Sequence, residues 1–249
     1  MAEGSVEVQI VEGIGRIEFS HPKANSLPSK LLGKLTAELE RLSKDSSVRV
    51  IGLQSSGEKA FCAGASFEEL VSQKELEETT EYFMGFARVI LAMRASKKFI
   101  VTRVQGKAVG GAVGIIAASD YVLAAKAASL RLSELSLGFG PFVISLPVLR
   151  KTGVSGFSEL AIDTEWREAK WAKRQGLYAS VHDDQRSLDE AYDALLKQLA
   201  GRVPLAMEKI KEVAWNDTEW WERELPIRAR YAAELALSKE SQAILKKLI

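Results

Sequence analysis

Two small-residue segments could bring bare backbone up to a ligand. The first is Phe61-Cys62-Ala63-Gly64-Ala65-Ser66, downstream of the apolar run at 48–53. The second is Gln105-Gly106-Lys107-Ala108-Val109-Gly110-Gly111-Ala112-Val113-Gly114, directly after the apolar run at 99–104. Each strips bulky side chains from the chain where a strand ends. Backbone exposed in this way can approach a ligand closely, and two converging N–H groups can hold a developing oxyanion. Tight turns and close helix packing account for either segment taken alone. The pair, with Glu134 downstream, points to a catalytic site.

Other chemistries find little support. Cys62 is the sole cysteine, so an internal disulfide and a cysteine-based zinc cluster are both excluded, and a small core residue is the expected role. The two histidines, His21 and His182, lie far apart in sequence and leave no three-histidine metal site. No metal site is expected. His21 precedes Pro22 and reads as a loop residue. A dinucleotide fingerprint ending at Gly114 would need glycine where Val109 stands. A phosphate-binding P-loop fails too, because Ala108 follows Gly106-Lys107 and Val101 occupies the first glycine position.

The elements that must position these residues follow from periodicity. Residues 6–10 and 15–19 alternate apolar and polar across a turn at Glu12-Gly13, as two short strands do. Pro28-Ser29 opens a helix whose Leu31, Leu32, Leu35, Leu39 and Leu42 share one face. Strands are predicted at 48–53, 99–104 and 121–124. Helices are predicted from 75 to 93 and from 110 to 118, the latter with no polar face and so buried. This alternation argues for an α/β fold. From about residue 184 three stretches rich in Ala, Leu, Glu and Lys (188–199, 204–215 and 218–237) read as a helical region. Trp215, Trp220 and Trp221 lie in or beside it, with packing as the expected role and an acyl pocket as the alternative.

The chain has 249 residues, enough to bury a full core, and 34 basic against 33 acidic residues. That balance gives no reason to expect a nucleic-acid or membrane partner. Residues 1–5 show no apolar signal core and no run is long enough to span a bilayer, so a cytoplasmic location is the expectation.

The segments taken together resemble the enoyl-CoA hydratase/isomerase, or crotonase, family. The motifs, in order, are Pro22-Lys23-Ala24-Asn25-Ser26-Leu27, Gly57-Glu58-Lys59-Ala60-Phe61-Cys62-Ala63-Gly64-Ala65-Ser66-Phe67, and Gln105 to Gly111 followed by Asp120. Glu168-Ala169 followed by Gly176-Leu177 is a weaker match. Ser66 stands where the family usually carries Asp. The resemblance implies a spiral of ββα units over residues 1–183, with a C-terminal helical region over 184–249 used in assembly as a homotrimer or homohexamer. It implies an acyl-CoA thioester substrate in fatty acid metabolism, with coenzyme A entering as part of the substrate and no separate cofactor. By position, Ala65 and Gly111 would supply the oxyanion hole, and Lys23, Ala24, Ala63, Ser66 and Phe67 would line the substrate.

Family hydratases use two glutamates. One position corresponds to Glu134 and is kept; the other corresponds to Gly114. Adding water benefits from one group to activate it and another to deliver a proton, whereas moving a double bond needs one base that removes and returns a proton. The pattern therefore favours an isomerase over a hydratase (lyase). A hydratase, another enolate chemistry and a degenerate acyl-CoA-binding protein stay open. Phe139 and Phe142 either shape the acyl pocket or pack.

Overall fold

The computed structural model describes residues 4–248. A hairpin comes first: β1 (Ser5–Val11) and β2 (Ile14–Ser20) pair antiparallel, Ser5 opposite Ser20 and Val11 opposite Ile14. Its two turn residues, Glu12 and Gly13, both have positive φ (51° and 81°), the twist a two-residue hairpin loop favours. Helix α1 (Ser29–Lys44) buries the predicted leucine face.

Three similar turns follow. In the first, β3 (Val50–Ser55) is succeeded by β4 (Ala60–Cys62) and then by α2 (Phe67–Ser72) and α3 (Leu76–Ala95). In the second, β5 (Ile100–Val104) and β6 (Lys107–Val109) lead into α4 (Gly111–Ala118). In the third, β7 (Tyr121–Ala125) and β8 (Leu130–Arg131) lead through a 3-10 turn (Leu135–Leu137) into α5 (Phe142–Asp163). Each turn gives its first strand to one sheet and its second to another. With β9 (Ser180–His182), which follows α6 (Ala169–Arg174), the large sheet runs β1-β2-β3-β5-β7-β9. The small one runs β4-β6-β8. All strand pairs except the opening hairpin are parallel. This is the mixed α/β spiral of ββα units that the resemblance implied.

The main core lies between the two sheets and helices α1, α3, α4 and α5. Helix α4 has residues 112–118 all buried, as its lack of a polar face requires. Helix α7 (Gln185–Ala200) covers the opposite face of the large sheet, seating Leu188, Tyr192 and Leu196 on Val50, Val101 and Leu123. The chain ends in α8 (Pro204–Ala214), α9 (Trp221–Ala236) and α10 (Lys239–Leu245). Asp120, at the head of β7, anchors α8. Its carboxylate accepts from Lys211 Nζ (2.8 Å), Trp215 Nε1 (2.7 Å) and the Ile100 N–H (2.7 Å). Trp215 stacks edge-on against Trp221 at 5.9 Å. The tryptophans therefore pack, and none lines the cavity described below.

Helix α5 has no counterpart in the periodicity reading. Pro147 lies inside it, and Gly153 breaks it with φ 67° and ψ 178°. The predicted helix at 218 starts instead at Trp221, because residues 218–220 form a turn in which the Trp221 N–H donates to Thr218 O.

Candidate active site

The small sheet positions the site. Its three parallel strands all end at the same edge, where ligands gather in open parallel sheets. Residues 63–66 leave β4, residues 110–111 leave β6, and residues 132–134 leave β8. Close approach between the first two loops requires glycine. Gly64 has φ +82°, and a Cβ there would sit 2.5 Å from Val109 O and 3.5 Å from Gly111 N. Gly110 has φ +55°, and a Cβ there would lie 2.9 Å from Glu134 Oε1.

Backbone hydrogen bonds fix the loops while sparing two donors. The Gly110 N–H donates to Arg131 O (3.0 Å), and the Ala63 N–H donates to Ala24 O (3.0 Å). The Leu27 N–H donates to Gly64 O (2.8 Å), and the Ser66 N–H donates to Tyr82 Oη (2.6 Å). Among the described residues, the N–H groups of Ala65 and Gly111 are taken up by none of these bonds. Gly111 is the first residue of α4, so its N–H also lies at the positive end of a helix dipole.

Glu134 enters from below. It is 8% exposed, its Oε2 has no hydrogen-bond partner, and it precedes the 3-10 turn. Burial pushes its carboxyl up from 4.5 to about 7; the Ser133 and Glu134 N–H groups and the Arg131 cation offset part of this. Arg131 itself rests on the Trp166 ring, 4.9 Å from its centroid. A carboxyl in this state can take or give a proton near neutrality.

The structure brings Ala63, Ala65, Phe67, Gly111 and Glu134 around one cavity. Lys23 and Ser66 lie instead on an adjoining groove with His21 and Glu68. Lys23 pairs with Glu68, and Ser66 caps α2 by accepting from the Glu69 N–H (3.4 Å). Ala24 is joined to the cavity through Ala63, and Asn25 steadies its loop by donating to Ser56 O (2.8 Å) and Ala60 O (3.0 Å). Cys62 is fully buried, and burial pushes its thiol up to about 12, so it stays a core residue. His21 is held by Ser26 Oγ (2.9 Å) and the Lys23 N–H (3.3 Å), and burial lowers its pKa. Among the described residues no cluster of three metal-binding side chains is present.

Gly114 lies where α4 meets α5. A Cβ there would overlap the Ile144 side chain, so Ile144 fills the place a longer residue would occupy.

The family model for enoyl-CoA hydratase/isomerase matches residues 9–242. The chain belongs to this family. A Thermus thermophilus protein named "Putative enoyl-CoA hydratase" is 29% identical over 210 residues, 83% of this chain and 82% of that protein. The carnitinyl-CoA dehydratase of Citrobacter koseri is 28% identical over 200 residues, 79% of this chain and 75% of that protein. The crystal structure of an enoyl-CoA hydratase from Bacillus halodurans superposes with a TM-score of 0.91 at 20% identity, covering 97% of this chain and 99% of that one.

Within this hydratase/isomerase family member Phe139 and Phe142, which the sequence left between acyl pocket and packing, both line the cavity, while other parts of its wall were missed. Phe83 and Phe86 come from α3, Ile144 from α5 and Ala232 from α9. The spacing of Phe83 and Phe86 marks a buried helix face but not a cavity. Ile144 lies in the helix that periodicity did not show.

Proposed function

We propose that the protein is an acyl-CoA enzyme that shifts the double bond of an enoyl-CoA thioester. The thioester oxygen accepts hydrogen bonds from the Ala65 and Gly111 N–H groups. Glu134, as carboxylate, takes a proton from C2 of a 3-enoyl-CoA. The electron pair moves into the carbonyl, and the negative charge collects on the oxygen those donors face. The same carboxyl then returns the proton at C4, giving the 2-enoyl product. Lys23, Ala24, Ala63, Ser66 and Phe67 lie along the coenzyme A portion and its junction with the acyl group. Coenzyme A belongs to the substrate, and the reaction needs no further cofactor.

The observation that carries this reading is the isolated carboxyl of Glu134, held at about 7 in an apolar cavity beside two spare N–H groups. The names of the relatives favour hydration as a second reading. Hydration works best with a second carboxylate, and Ile144 walls off its place at Gly114. The deciding experiment supplies 2-enoyl- and 3-enoyl-CoA thioesters and follows water addition and double-bond migration separately. Hydration outrunning migration would overturn the isomerase assignment; turnover of neither would favour a binding protein.

A homotrimer or homohexamer is also proposed. Val203, Leu205, Ile210 and Val213 leave 66%, 63%, 59% and 78% of their surface exposed on and just before α8, apolar area available to a subunit contact. A monomer by light scattering at micromolar concentration would refute this.

A further inference from the structure

The cavity around Glu134 has a volume of about 40 Å³. The cavity is therefore small, with room for the tail of a short acyl group whose carbonyl sits at Ala65 and Gly111. Longer tails meet aromatic rings. Phe83 and Phe139 close the cavity edge to face, with ring centroids 5.9 Å apart, and both are under a tenth exposed.

This wall is braced on three sides. The Phe139 N–H donates to the main-chain carbonyl of Glu134 (3.2 Å), which ties the wall to the segment that carries the carboxyl. Phe142 meets Tyr231 of α9 at 6.2 Å, edge-on. Arg228 of α9 donates to Ser145 Oγ on α5, and its Nε donates to Glu224 at 2.9 Å. Ala232 of the same helix faces the cavity. Lengthening the pocket would require prising α9 from α5.

We propose that the site selects short acyl groups over long ones, and that Phe139 sets the limit. This rests on the acyl-CoA reading above. It concerns the size of the acyl group and not the reaction performed on it.

The test is calorimetric binding of saturated butanoyl-, hexanoyl- and octanoyl-CoA to the full chain, with free coenzyme A as baseline. Saturated esters undergo neither isomerisation nor hydration, so the result does not depend on turnover. A methylene without room in an apolar pocket typically costs about 10-fold or more. Butanoyl-CoA should therefore bind at least about 10-fold more tightly than octanoyl-CoA. Phe139→Ala should move the preference toward hexanoyl- or octanoyl-CoA, with Phe139→Leu intermediate; thermal melts establish that both variants fold. Octanoyl-CoA binding as tightly as butanoyl-CoA would overturn the inference. An unchanged preference in both folded variants would overturn the role of Phe139. Binding of none of the esters above the coenzyme A baseline would overturn the inference together with the acyl-CoA reading. The expected order of binding without enoyl turnover supports the size limit and refutes the isomerase assignment alone.

Discussion

Replacing Glu134 by Gln should lower turnover steeply and make the fold more stable. The two effects share a cause. The buried carboxyl is raised from 4.5 to about 7, so above neutrality the fold must hold a charge it solvates poorly. At about 1.36 kcal/mol for each tenfold change in acidity, the ionised form costs the folded state about 3 kcal/mol. The sign follows from proton counts. Between pH 4.5 and about 7 the folded state keeps a proton that the unfolded state has released, so stability falls as pH rises through that window. Below 4.5 both states are protonated and the penalty is absent; above about 7 it is complete. Glu134→Gln removes the ionisation. At pH 8 the variant should exceed the parent by about 2–3 kcal/mol, with the gap closing toward pH 4.5. Urea unfolding from pH 4.5 to 8, run beside an isomerisation assay, measures both. Turnover should drop by about 100-fold to 10,000-fold, the range for a general base. A stability gap that ignores pH, or a variant that retains full activity, would refute the reasoning.

Three further outcomes are expected. The parent enzyme's kcat/KM for a 3-enoyl-CoA should rise with pH and level off above about 7, because the base must be ionised; a profile flat from pH 5 to 8 would contradict this. Gly111→Pro removes one of the two N–H groups proposed to face the thioester oxygen and should slow turnover by about 100- to 1000-fold, provided circular dichroism shows a folded protein; an unchanged rate in that folded protein would remove Gly111 from the site. Gly114→Glu alone should destabilise the protein by about 1–3 kcal/mol through overlap with Ile144, and a further Ile144→Ala should restore part of the loss, read as unfolding midpoints; equal midpoints for the single variant and the parent would mean that α4 and α5 part freely.

Much of this was legible in the sequence because the decisive features are backbone features. Gly64 and Gly110 mark where a loop touches another loop or a carboxylate, and Gly111 lies against the Phe86 ring; no larger residue fits at these positions. The leucine face of α1 and the all-apolar α4 follow directly from periodicity. The strands of the small sheet were invisible for a physical reason. β4 and β6 have three residues each and β8 has two, too few for an alternation to register. Helix α5 was hidden by Pro147 and by the break at Gly153. The rest of the cavity wall was hidden because Phe83, Ile144 and Ala232 meet only after α3, α5 and α9 have packed.

The brevity of the small sheet also separates loss of activity from loss of the fold. β6 touches β4 through two residue pairs, with an irregular register, and β8 through two more. The ladders of the large sheet run from three to seven pairs, with six between β2 and β3. Thinly paired elements open at lower free energy than the global structure. A transient parting of β6 from either neighbour would pull Gly111 away from Ala65 or from Glu134 while the six-stranded sheet stayed intact. Heat or mild denaturant should therefore silence the enzyme before circular dichroism records unfolding. An acyl-CoA bound across the three loop ends, as the proposed function requires, should bring those two midpoints together.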